Sequence, residues 1–184
     1  MLFRKGKHRI ALVFPFAGIA IKLPLVHFIT TARLLYYYAK RGSGYVEKYW
    51  GAPVKELKYY LFTGIMDNWR EFRFYRDTRH PFLRPTHFSF LGFLNIQQFG
   101  KPVALNEADF QYQMVELIGD IEFDDFHHFR NMDNFCFGNG GFQILDYGSL
   151  LTQKIVGEFG MKILEKFDPR YRWAEQEGLE KGSS

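Results

Sequence analysis

The chain has 184 residues, 47% apolar and 24% charged, which fits one globular domain with a single core and excludes an extended disordered chain. Its formal charge of +4 is below that of a dedicated nucleic-acid binder. Its single cysteine, Cys136, excludes an intrachain disulfide and a multi-cysteine zinc site, so the expected setting is a reducing cytoplasm.

Positive charge concentrates in Arg4, Lys5, Lys7, His8 and Arg9, which reads as a solvated, flexible terminus. The span Ile10–Ile29 has the length of a membrane helix, but Lys22, Pro15 and Pro24 argue against one. The runs RIALVF (9–14) and GIAIKL (18–23), joined by Pro15, Phe16 and Ala17, predict a hairpin. From Val26 to about Met66 the pattern predicts two helical pieces, with tyrosine clusters at 36–38 and 59–60 and breakers at Gly42, Gly44, Gly51 and Pro53. Asp67 is suited to cap a further helix, which carries Trp69, Phe72 and Arg76 on one stripe and Glu71 and Tyr75 on another and stops at His80-Pro81.

Two strand-like runs, THFSFLGF and LNIQQF, then flank Leu91-Gly92, and Gly100, Lys101 and Pro102 read as a hinge-like linker. Asn106, with Asp109 three residues on, predicts the start of a helix that Gly119 ends. Residues 120–134 read as irregular. NFCF and FQILDY form a predicted hairpin around Gly138-Asn139-Gly140-Gly141, and a last amphipathic helix covers about Leu151–Phe167. Residues 176–184 read as a frayed tail.

The segment most suggestive of chemistry is 127–148, HHFRNMDNFCFGNGGFQILDYG. A hairpin returns the chain close to where it left, so Asn134 and Asp146 come together, and an amide oxygen beside a carboxylate is a hard-oxygen site that suits Mg²⁺ held partly by phosphates. Taken singly, each residue reads as well as a turn cap or a strand end.

Together these residues resemble the protein-kinase superfamily, in which a loop H-R-D-L-x-x-x-N is followed about a dozen residues later by D-F-G. His127 to Asn134 (HHFRNMDN) takes the first place, and Asp146-Tyr147-Gly148 takes the second. Ala20-Ile21-Lys22 resembles the strand-three V-A-I-K, where period two puts Ala20 and Lys22 on one face. The resemblance implies that Ala20 lines an adenine pocket, that Lys22 reaches phosphates, and that Lys22 pairs with Glu71 or, alternatively, Glu56. It further implies ATP and Mg²⁺ as cofactors, the metal on Asn134 and Asp146.

The family's catalytic aspartate is replaced by Phe129, which cannot take a proton. Asp124, Asp125 and Asp133 lie nearby, none at the matching position. His127 is expected to pack beneath the metal-site turn, and His128 and Arg130 are candidates for phosphate contact. No G-x-G-x-x-G precedes Lys22, and roughly 36 residues follow Gly148, too few for the usual large helical lobe.

The expectation is therefore a single α+β domain over 1–184, a small two-lobed kinase-like fold with a reduced N-lobe at about 1–100 and a truncated C-lobe at about 103–175. The expected role is that of a pseudokinase that regulates or scaffolds. A divergent phosphotransferase acting on a small molecule or protein is the alternative. A third reading is an interaction module that binds a protein partner through aromatic surface such as Tyr36–Tyr38 or Phe72–Tyr75.

Overall fold

The computed structural model describes residues 1–6, 8–25, 28–42, 57–119 and 126–172. The fold is α+β, with two antiparallel sheets and their helices. The first sheet has the order β1-β2-β3-β5-β4 and is built from β1 (Leu2–Lys5), β2 (Arg9–Phe14), β3 (Ile19–Pro24), β4 (Thr86–Phe90) and β5 (Leu94–Gln98). The expected hairpin is β2–β3, with Val13 opposite Ala20 and Ala11 opposite Lys22. Pro15 opens a 3-10 turn between these strands, and Gly18, at φ 64°, closes it.

The chain start departs from expectation. Leu2–Lys5 is not a solvated terminus but an edge strand paired with β2 from Leu2–Val13 to Lys5–Ile10. An edge strand leaves its basic side chains room to reach water, and Arg4 finds an acid in Asp133. The span tested above as a membrane helix is this hairpin and the start of α1 (Phe28–Arg41), and no helix among the described residues is long and apolar enough to cross a bilayer.

The second helix, α2 (Leu57–Thr78), is longer than expected. Asp67 does not cap it but lies in its interior. The polar Asp67-Asn68 pair reads as a helix start in sequence, whereas packing on the sheet carries the helix through it. Asn68 is fully buried, donates to the Gly92 carbonyl at 3.0 Å, and has its own carbonyl bonded by Asn95 Nδ2 at 2.7 Å. The β4–β5 turn can lie this close because Gly92, at φ 82°, has no Cβ to strike the Ile65 carbonyl.

The second sheet, β6-β7-β8, consists of β6 (Lys101–Pro102), β7 (Phe135–Gly138) and β8 (Gly141–Ile144). Lys101-Pro102, expected as a linker, pairs with Phe137 and Cys136, an edge position where a proline costs no ladder bond. Helix α3 (Glu107–Ile118) starts as expected at Asn106, whose Oδ1 accepts from the Ala108 amide at 2.9 Å. Within the region read as irregular lie a short helix, α4 (Phe126–Arg130), and a 3-10 turn at Met132–Asn134, because the buried Phe129 anchors one and Asn131 caps the other. The last helix, α5 (Leu150–Lys166), is capped by Ser149.

Part of the aromatic content, 19% of the chain, forms a core of rings. Phe82, Phe110, Phe129, Phe135, Phe142 and Tyr147 are buried together with Ile144, Ile155 and Ile163. Phe142 lies parallel between Phe135 and Phe167, with centroids 5.1 and 3.6 Å away. This core belongs to the second sheet and its helices, and a parallel bridge from Leu83 to Ile144 ties it to the chain leaving α2. Replacing Phe135 by Ala is expected to cost about 3–5 kcal/mol, as for other large-to-small changes in packed cores. Urea unfolding followed by far-UV circular dichroism measures it, and a cost below 1 kcal/mol would contradict this placement.

Candidate functional site

Period two in β2 puts Arg9, Ala11 and Val13 on one face, and in β3 it does the same for Ala20 and Lys22. All five line a cavity of about 440 Å³. Gln97 and Phe99 border it from the end of β5, Arg4, Lys5 and Gly6 from the β1–β2 corner, and Asn131, Asp133, Asn134, Leu145 and Asp146 from the second sheet. The cavity thus has an apolar slot of small side chains at one end. At the other, four cationic side chains meet two carboxylates. The short β1–β2 corner, with the single glycine Gly6, stands where the resemblance expects a glycine-rich loop.

Lys22 is buried on β3, not an edge residue facing water. Its ammonium donates to both Glu71 oxygens, at 2.9 and 2.8 Å, and to the Leu145 carbonyl at 2.7 Å. Glu71 is fully buried and also accepts from Arg9 Nη1 at 2.9 Å. Of the two acids considered for Lys22, Glu71 is the partner. Glu56 lies outside the described residues. Asn68, one helical turn before Glu71, bonds the β4–β5 turn and so holds this face of α2 toward the sheet.

Asn134 and Asp146 both border the cavity, as the hairpin reading expects. The Leu145 amide bonds the Asn134 carbonyl at 2.7 Å and closes the hairpin base. Asn134 Nδ2 donates to the His128 carbonyl at 2.9 Å, which commits the amide nitrogen and leaves the oxygen as the end it can offer. Tyr147 is buried, with its hydroxyl donating to the Arg84 carbonyl at 2.7 Å. Gly148 follows because a Cβ there would press into the α2 backbone at Asp67.

Two candidates, Phe129 and Arg130, stand elsewhere. Phe129 does not face the cavity but is fully buried, 5.9 Å from the Phe135 ring, because an apolar ring gains more from the core than from a charged cleft. Arg130 is exposed and is not among the cavity-lining residues. The His127 side chain lies outside the described residues, as do Asp124 and Asp125. Asp133 is exposed and bonded to Arg4 at 3.2 Å. Of the aromatic surfaces considered, Tyr36 and Tyr38 are exposed, whereas Phe72 and Tyr75 are half-buried under the guanidinium groups of Arg76 and Arg79 and Phe74 packs on the core.

Sequence reasoning missed Arg9, taken as one of a solvated basic cluster. It is largely withdrawn from water, with 13% of its side chain exposed, and its Nη2 bonds Asp146 while its Nη1 bonds Glu71 and, at 3.4 Å, Asn68. The alternation Arg9-Ala11-Val13 was the available signal. Burial alone would raise the Asp146 carboxyl, but the attraction of Arg9, then of Lys22 and His128, overrides this and holds it well below the usual range. Lys22 is held below its ordinary value by burial, against the opposing pull of Glu71.

The cavity fits a nucleotide. Ala11, Val13, Ala20 and Leu145 suit a flat ring, and Lys22 and Arg9 suit phosphates. Mg²⁺ fits this arrangement poorly, because one oxygen of the Asp146 carboxylate already holds Arg9 and a metal on the other would lie against the guanidinium charge. Among the described residues no group of three or more His, Cys, Asp or Glu could hold a metal ion.

Replacing Glu71 by Ala leaves the buried Lys22 ammonium without its carboxylate and is expected to cost about 3–5 kcal/mol in urea unfolding, while a cost under 1 kcal/mol would contradict the pairing. Because the folded Asp146 carboxyl sits below its unfolded value of about 3.9, its pair stabilises fully above that pH and loses this contribution as pH falls below it. Asp146→Asn is therefore expected to flatten the acid limb of stability against pH, and an unchanged limb would refute the assignment. Comparison with family models, curated proteins and solved structures finds no match to this chain.

Proposed function

We propose that the protein is a degenerate, two-lobed kinase-like domain that binds ATP between its two sheets and regulates or scaffolds without efficient phosphoryl transfer. The observation that carries this reading is the convergence of Lys22, held from behind by the buried Glu71 49 residues away, and Asp146 on one cavity with an apolar slot. Ala20 and its neighbours would hold the base, Lys22 and Arg9 the phosphates. The absence of a proton acceptor at Phe129 supports the non-catalytic role, since loss of a positioned base costs roughly 10²–10⁴-fold.

One observation supports a second reading. Asp133 borders the cavity beside Asn134, where an exposed carboxylate can serve as a base for slow transfer to a small molecule or protein. The exposed Tyr36 and Tyr38 on α1 support a protein partner as the recipient of regulation.

ATP at one hundred times its Kd stabilises a folded protein by about 2.7 kcal/mol, which in a domain of this size is a rise of roughly 5–10 °C in Tm. Thermal unfolding with ATP, in EDTA and in Mg²⁺, is expected to show such a rise, lost in Ala20→Leu, which fills the slot. No rise at millimolar ATP in either condition sinks the nucleotide reading. Phosphate release measurably above background and abolished by Asp133→Asn would establish the second reading over the first.

A further inference from the structure

The carboxylate that the kinase resemblance assigns to a metal is already engaged by an arginine of the same chain. Arg9 reaches Asp146 from the first residue of β2, and its side chain retains only 13% of its exposure. Three of its N–H groups go to Asp146, Glu71 and Asn68. A guanidinium has five, so two remain for an anion in the cavity that Arg9 borders. Its planar fork matches two phosphate oxygens at once.

The charge of the cavity points the same way. Arg4, Lys5, Arg9 and Lys22 border it against the carboxylates of Asp133 and Asp146, a net positive lining that suits a fully ionised polyphosphate. A chelated Mg²⁺ would cancel part of that attraction. It would also have to displace Arg9 from Asp146 and set the guanidinium free beside the Lys22 ammonium, with Glu71 left to both. Mg²⁺ further demands near-ideal octahedral oxygen geometry, and one oxygen of Asp146 and one of Asp133 are already engaged by arginines.

We propose that Arg9 stands in for the divalent cation, so that the cavity binds a nucleotide polyphosphate without metal and binds the magnesium chelate less tightly. This rests on the nucleotide reading and assigns Arg9 the work of neutralising phosphate charge at the place where that reading expects a metal. Asp146 is then the positioning residue that aims Arg9, not a metal ligand.

The test is isothermal titration of the full chain with ATP in excess EDTA and, separately, in millimolar Mg²⁺. The expected result is binding in EDTA that is tighter than in Mg²⁺. Arg9→Lys, which keeps the charge but loses the fork, is expected to weaken binding in EDTA by about tenfold, the scale of one charge-assisted hydrogen bond. Asp146→Asn is the second variant, chosen because it preserves shape and remains informative if Arg9→Lys fails to fold. In EDTA, Asp146→Asn is expected to weaken binding by less than Arg9→Lys does, because the guanidinium is retained and still held by Glu71. Binding that requires Mg²⁺ and is lost in Asp146→Asn overturns the proposal and leaves the nucleotide reading standing. No binding in either condition overturns both.

Discussion

The structure turns on a carboxylate taken wholly out of water. Glu71 has no exposed surface, and an isolated buried charge is costly by several kcal/mol. Its position is tolerable only because Lys22 and Arg9 deliver three hydrogen bonds to it. Those two cations come from adjacent strands, so the carboxylate fixes how α2 lies on the first sheet. Lys22 then passes the constraint on to the second sheet through the Leu145 carbonyl.

The same arrangement shapes the cavity. With Lys22 and Arg9 held at one end, the small residues Ala11, Val13 and Ala20 leave open the slot beside them. Arg9 links the two acids, Glu71 on the helix and Asp146 at the hairpin base. The positive charge here is thus both a structural tie between the sheets and the feature that an anionic ligand would meet. A ligand competing for Arg9 would act on the tie itself, which gives a physical route from occupancy of the cavity to the relation between α2 and the hairpin.

The aromatic core is the second support. Phe129 shows how the two meet, since it stands in the segment that resembles a catalytic loop and yet points into the rings. The loop is held by apolar packing on one side and by the Asn134 bond to the His128 carbonyl on the other. A loop anchored in this way keeps Asp133 and Asn134 at the cavity while Phe129 turns into the core.

Local pattern alone determined the β2–β3 hairpin, the β4–β5 hairpin, the start of α3 at Asn106 and the hairpin that brings Asn134 to Asp146, because alternation, turn residues and caps act between neighbours in sequence. It determined the faces too, placing Ala20 and Lys22 side by side. It did not settle the partner of Lys22, since an ion pair across 49 residues depends on how a helix lies on a sheet. It misplaced the start of α2, where burial of Asn68 outweighed a capping signal; it missed β1, whose basic residues hid its pairing with the neighbouring β2, and the short strand β6, whose partner strand is distant in sequence. Arg9 was legible as a charge and hidden as a site. Only the tertiary structure could move it from a basic cluster to the cavity, because the carboxylates that hold it lie 62 and 137 residues away, and the benefit of burying a guanidinium exists only once both of them are in place.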